Sequence, residues 1–310
     1  MGWIPTWRGE AVNWECDELG HLNMRHYAAK MEEARQYLFI HLGLAHAFQP
    51  SHPSTVRTTG LTVCYLKEAR PGVGLSIRSG LVELGESTAT VAHVMEHVDG
   101  SPAATFLEEV AHIYLPDDRA FPWPARLREK WQTAEVESAC RPRGLADVTV
   151  EGPSLSRLES LGAQRIGSGV FRPDEADSFG RLRPHAYLGR WTESVGNFTA
   201  GWPEMYGENG IYADRSAGDA RYSGVLLELR VHIHREAEPG QAFVALTSLT
   251  RATPNIRNFI HHLVDPVSGR SYASAQATSA VIDLHERKLV KTGAEVLTAL
   301  EASLTPQITA

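Results

Sequence analysis

Cysteine is scarce: Cys16, Cys64 and Cys140 are the only three in 310 residues, too few and too far apart for a disulfide framework or a zinc knuckle. Their odd number leaves at least one thiol outside any intrachain bridge, which suits a reducing cytoplasm. Nowhere do about 18 apolar residues run together, as a spanning helix needs. The opening MGWIPTWRGE also lacks the apolar core of a signal peptide. The expectation is a cytoplasmic protein that neither crosses nor anchors to a membrane. The initial Met-Gly-x-x-x-Thr, with Pro5 inside it, reads as a chance myristoylation match. Basic charge is in deficit, 30 Lys plus Arg against 37 Asp plus Glu for a net charge of -7, and no basic stripe offers itself to phosphates. Nucleic acid is thereby excluded as a partner. The runs Gly72-Val73-Gly74 and Gly167-Ser168-Gly169 complete neither a dinucleotide nor a phosphate-binding loop. Fourteen histidines include no His-Glu-x-x-His and no third-ligand pattern, so neither a metal nor another cofactor is expected.

Apolar material is ample, at 43% of residues, and the length suits about two domains. An internal repeat says what kind. A shift of 160 places sets CDELGHLNMRHYAAKMEEA, from Cys16, over ADSFGRLRPHAYLGRWTES, from Ala176. It pairs Asp17 with Asp177, Gly20 with Gly180, Leu22 with Leu182, Tyr27 with Tyr187, Lys30 with Arg190 and Glu33 with Glu193. Further on, EARPG at Glu68 resembles EAEPG at Glu236, and the turn His97 to Gly100 matches Asp265 to Gly269.

Each half reads as a short strand, an Asp/Gly turn, one helix and four extended segments. Tyr27, Met31, Ala34 and Leu38 share a helical face, and Ala28, Phe39, Ile40 and Leu42 put apolar groups around most of the rest, which predicts a largely enclosed helix. Val225, Leu227, Leu229, Val231 and Ile233 alternate with polar residues as a half-buried strand does. Further strands are expected over 73–84, 87–98, 102–115, 242–252, 256–266 and 270–284, with hairpin turns at Asp99-Gly100 and Ser268-Gly269. A proline-rich stretch carrying a helix near Ala125 to Ala139 reads as a connector. The predicted division is a domain over 1–118, a connector over 119–164 and a second domain over 165–310, in an α+β layout.

The run ECDELGHLNMRHYAAKMEEAR, residues 15–35, resembles the hotdog-fold acyl-CoA thioesterases of the 4-hydroxybenzoyl-CoA thioesterase-like branch: an Asp, a Gly-His-x-Asn step, a helix-starting Tyr and Glu-Glu-Ala-Arg. The resemblance implies two tandem hotdog domains, each a curled antiparallel sheet wrapped around one central helix, with a site between two hotdogs. It implies hydrolysis of an acyl-CoA or other acyl thioester, with the catalytic carboxylate at Asp17 and a backbone amide at the helix start polarising the thioester. Oligomers of the double unit stay open.

Physical reading supports such roles and supplies rivals. Asp17 lies between strand and helix, placed to act as nucleophile or general base, yet a turn aspartate in the same place simply bonds nearby amides. Asn23 is a good N-cap, which makes Met24 the first helical residue and leaves its N–H among the orphan donors. His21 either donates to the thioester or is a satisfied packing residue. Glu33 either positions water or pairs with Lys30, as Glu193 would with Arg190. Tyr27 is expected at the substrate cleft, with Tyr37, Trp191, Trp202 and Tyr206 adding aromatic surface.

The second half departs from the pattern. Arg181 and Arg183 replace His21 and Asn23, and Pro184 replaces Met24, removing the N–H. Asp177 therefore has a carboxylate without the matching amide. One working site is expected, with Asp177, Arg181 and Arg183 turned to binding, the arginines meeting a phosphate or carboxylate. The rival functions are a hotdog hydratase or dehydratase acting on the acyl chain and a non-catalytic acyl-thioester binding module.

Overall fold

The computed structural model describes residues 2–145, 152–200, 222–305 and 308. Strand β1 (Ile4–Glu10) leads through a 3-10 turn at Asn13–Glu15 into helix α1 (Met24–His41), then β2 (Ser54–Tyr65), β3 (Gly74–Leu84), β4 (Thr88–His97) and β5 (Pro102–Tyr114). A short strand β6 (Arg119–Ala120) and helices α2 (Ala125–Arg128) and α3 (Leu155–Ser160) come next. The order then recurs: β7 (Gln164–Val170), a 3-10 turn at Pro173–Glu175, α4 (Pro184–Thr192), β8 (Tyr222–Ile233), β9 (Ala242–Ala252), β10 (Arg257–Val264) and β11 (Ser271–Asp283). A strand β12 (Lys288–Val290) and a helix Ala294–Ala302 follow. The chain divides into two compact units, residues 1–143 with 176–188 and residues 144–175 with 189–310.

The first unit holds an antiparallel sheet in the order β1-β3-β4-β5-β2, the second one in the order β7-β9-β10-β11-β8, the same path strand for strand. Register repeats as well. Ile4 faces Ser79 as Gln164 faces Thr247, and the register shift between Pro5 and Trp7 returns between Arg165 and Gly167. Gly100 and Gly269 take positive φ in the two hairpin turns.

In the first unit α1 packs on β1, β3 and β4, burying Tyr27, Ala28, Met31, Ala34, Leu38 and Phe39. Each large apolar side chain so enclosed contributes roughly 1.5–3 kcal/mol. The helix also buries Arg35, which is answered from the sheet. Arg35 Nη1 donates to Thr58 Oγ1 at 2.6 Å and lies 3.4 Å from Glu108 Oε1. Glu108, fully buried, also meets His93 Nε2 at 3.3 Å, His93 Nδ1 meets Ser79 Oγ at 2.6 Å, and Ser79 Oγ meets Thr6 Oγ1 at 2.7 Å. Each of the five strands thus supplies one polar side chain to a continuous row. The Arg35 guanidinium, with His93 and Thr58, holds the Glu108 carboxyl below its usual range against the opposing effect of burial.

Two expectations change. The helix foreseen over 125–139 is only α2 plus a 3-10 turn at Ser138–Cys140. Between them the chain turns extended because Ala134 N–H bonds Leu81 O, and Cys140 packs on Ala92 and Val94. Trp123, just ahead of α2, stacks on Phe39 with centroids 5.6 Å apart. The alternation foreseen for β8 breaks at Leu227, which the pairing skips between Leu226 and Glu228. A bulge advances the side-chain phase by one residue, so the apolar set on one face is Leu229 and Val231, not the whole run from Val225. Thr59 is skipped in β2 in the same way.

Removing one partner of a buried ion pair costs about 3–5 kcal/mol, whereas replacing both by apolar groups is often neutral. Glu108→Gln is expected to destabilise by that amount in urea unfolding, and Arg35→Met with Glu108→Leu to recover most of it. A Glu108→Gln protein as stable as the parent would contradict this.

Candidate functional site

The loop from Cys16 to Leu22 is closed by an antiparallel bridge between those residues, and Asn23 N–H donates to Glu15 O at 2.9 Å. These ties set the Asp17 turn beside the start of α1. Gly20 permits the turn by taking φ +72°. Asp17 Oδ1 accepts the N–H groups of Leu19 at 2.9 Å and His21 at 3.1 Å, so the turn role weighed against catalysis is present. Among the described residues Oδ2 accepts no hydrogen bond, and Asp17 is half-buried. One carboxylate oxygen therefore fixes the turn while the other has no hydrogen-bond partner among the described residues.

Asn23 caps α1, its Oδ1 accepting Arg25 N–H at 3.1 Å, and Met24 is the first helical residue. Among the described residues the Met24 N–H has no partner, as the first turn of a helix requires. His21 Nε2 lies 3.1 Å from Glu68 Oε2, which fixes the plane of the imidazole. Tyr27 is buried rather than lining an open surface. Its hydroxyl accepts Ala69 N–H at 3.1 Å, its ring meets Tyr65 edge to face, and burial pushes its pKa up to about 12.

Glu33 is exposed and accepts Trp7 Nε1 at 3.1 Å; Lys30, 5% exposed, bonds Glu15 Oε2 at 2.6 Å and sits over the Trp7 ring. In the second half Arg190 bonds both Glu175 and, at 2.8 Å, Glu193. The carboxylate shared by the two repeats for this cation is therefore Glu15/Glu175. The reading of the sequence missed it, although Glu15 and Glu175 stand at the same offset.

Asp177 repeats the turn of Asp17. Its Oδ1 accepts Phe179 N–H at 2.9 Å and Arg181 N–H at 3.0 Å, with Gly180 at φ +77°. Arg181 is half-buried and Arg183 exposed. Tyr37 is exposed and Trp191 buried, while Trp202 and Tyr206 lie outside the described residues. Among the described residues no three His, Cys, Asp or Glu side chains gather to hold a metal ion, and no helix is long and apolar enough to cross a membrane.

A family model described as the thioesterase-like superfamily matches residues 12–131 and again 171–300, once over each repeat. The chain belongs to the thioesterase-like superfamily. Among solved structures, an acyl-ACP thioesterase from Bacteroides thetaiotaomicron superposes with a TM-score of 0.66 at 11% identity over 89% of this chain and 97% of its own. A 12:0-ACP thioesterase from Umbellularia californica gives 0.63, at 11% identity, over 89% of this chain and 93% of its own. At such identities the likeness speaks to fold, and it is the α+β hotdog fold in two tandem copies. No curated protein sequence matches the chain.

His26, in the first turn of α1, is pushed down to about 4 chiefly by burial, with Arg25, Lys30 and His185 adding and Glu15 opposing. Its folded state favours the neutral ring, so below its unfolded value of 6.5 the unfolded chain takes up the proton first. The stability His26 contributes is whole above that value and is lost as pH falls toward 4. His26→Gln is expected to shrink the drop in urea midpoint between pH 7 and pH 5; an unchanged drop would remove His26 as a cause.

Proposed function

We propose that this chain hydrolyses an acyl thioester, with an acyl-CoA as the substrate foreseen, at the start of α1. The observation that carries the reading is the pairing of a half-buried Asp17, one oxygen bound by its turn, with the Met24 N–H at an N-capped helix start, the second oxygen and that N–H having no partner among the described residues. The thioester carbonyl oxygen would accept the Met24 N–H, where the helix dipole favours developing negative charge. Asp17 Oδ2 then acts in one of two ways. As nucleophile it attacks the carbonyl carbon, the C–S bond breaks, the thiolate leaves, and water cleaves the resulting anhydride to return the carboxylate and release the acid. As general base it takes a proton from water, whose oxygen attacks the carbonyl carbon instead, and the C–S bond breaks to release the thiolate, which takes up the proton, and the acid.

His21, its Nε2 held against Glu68, would shape the cleft, while Asn23 holds the helix start open by capping it. Glu33 is too exposed and too firmly tied to Trp7 for more than an accessory part. In the same proposal the hotdog domains are residues 1–118 and 165–310, joined by 119–164. Thioesterase chemistry in the fold neighbours and the family match favour hydrolysis over hydration, and the second repeat, lacking a donor at Pro184, is assigned no turnover of its own.

Asp17→Asn is expected to lower kcat by about 10²–10⁴-fold in a thiol-release assay over varied acyl-CoAs, with Asp177→Asn near the parent. Equal losses in both would sink the single-site reading. Loss of enoyl absorbance from enoyl-CoA with no thiol released would replace hydrolysis by hydration. Met24→Pro copies the second repeat and suits the first helical position while deleting the N–H; it is expected to cost roughly 10²–10³-fold in kcat. Full activity in that variant would rule out the Met24 amide.

A further inference from the structure

At the start of α4 the first backbone N–H is taken by a carboxylate from α1, the donor that in the first repeat is held by the Asn23 cap. Pro184 opens the helix without an N–H, and the next donor, His185 N–H, gives its hydrogen bond to Glu32 Oε1 at 2.6 Å. The other oxygen, Oε2, meets His185 Nδ1 at 2.9 Å. Both groups are enclosed, Glu32 at 3% exposure and the His185 side chain at 12%. A carboxylate so placed is favoured by the helix dipole and by two donors at once. It is also committed, because a buried charge that loses its partners carries a large desolvation penalty.

The surroundings agree. Residues 176–188 belong to the first unit, where Ser178 Oγ also donates to Phe48 O at 2.8 Å. The arrangement is one-sided: at the shift of 160, Thr192 stands where Glu32 does and Arg25 where His185 does. At that shift neither Glu32 nor His185 recurs at its counterpart position.

We propose that Glu32 is a built-in anion that closes the second helix start to substrate, and that with His185 it latches residues 176–188 into the first unit while Met24 alone receives the thioester. The second clause rests on the reading given under Proposed function. Glu32 is then a positioning residue of the second repeat and takes no part in turnover.

The test uses the full chain and the variants Glu32→Gln, Glu32→Ala, His185→Ala and the double alanine. Thiol release from acyl-CoA, calorimetric stoichiometry with a non-hydrolysable thioether analogue of acyl-CoA, and Tm are read for each. One analogue per chain is expected for the parent and for Glu32→Gln, whose amide oxygen still accepts His185 N–H, with kcat/KM within about threefold of the parent. The two single alanine variants should lose Tm, and the double variant should lose clearly less than the two losses added, as contacting residues do.

Two analogues bound per parent chain would overturn the closure. So would a fall in kcat of a hundredfold or more in Glu32→Gln at near-parental Tm, which would make Glu32 part of the chemistry. Additive Tm losses would overturn the latch. Should the parent release no thiol and bind no analogue, the thioester reading falls, and the latch is still decided by the Tm cycle alone.

Discussion

Enclosing a helix within a curved sheet is the constraint on which the rest of the first unit depends. The long polar side chains that such a helix buries cannot reach water, so each of them has to find an answer from a strand, a turn or a neighbouring loop. Lys30 is answered by Glu15, the Tyr27 hydroxyl by the backbone at Ala69, and Arg35 by Glu108 and Thr58. The last of these extends through His93 and Ser79 to Thr6 and so engages every strand of the sheet. Sheet order and helix depth are thereby coupled: a slip of one strand would leave a charge without its partner.

The second repeat shows what happens when that charge is removed. Thr247 still meets His261 at 2.9 Å, as Ser79 meets His93. Ala277, however, pairs with Leu229 as Glu108 pairs with Leu61, and at the shift of the repeat Val195 stands for Arg35. The ion pair is gone as a unit, cation and anion together, so neither partner is left behind without the other. With the pair absent, burial alone pushes His261 down to about 4. The two helix starts differ likewise, one with a donor at Met24 that has no partner among the described residues and one closed by Pro184 and Glu32.

Much of this was legible in the chain itself. The repeat, the buried face of α1, the Asn23 cap, the Asp17 and Asp177 turns and the hairpins all follow from interactions spanning a few residues, so periodicity and turn chemistry specify them, whereas Ile40, expected among the enclosed groups, is exposed. The family resemblance of residues 15–35 agrees with the superfamily match over both halves at the level of the thioesterase-like superfamily, not of the branch. Less legible were features that depend on a distant partner. Lys30 was paired with Glu33 because helical spacing makes them neighbours, yet the 3-10 turn before the Asp17 loop brings Glu15 closer. The helix over 125–139 failed because Ala134 finds a sheet carbonyl to bond, a competition that propensity does not register.

By itself, then, the sequence determined two copies of one strand-turn-helix-sheet plan, the cap and turn at each helix start, and the loss of the N–H at Pro184, since each is a property of residues adjacent in the chain. Tertiary structure alone decided which carboxylate answers which cation, where the bulges at Thr59 and Leu227 reverse the side-chain phase, and that Glu32 meets His185. Those contacts join groups from about 15 to more than 150 residues apart. Which pairs form is set by strand order and by the need to leave no buried charge alone, conditions that exist only once the chain has folded.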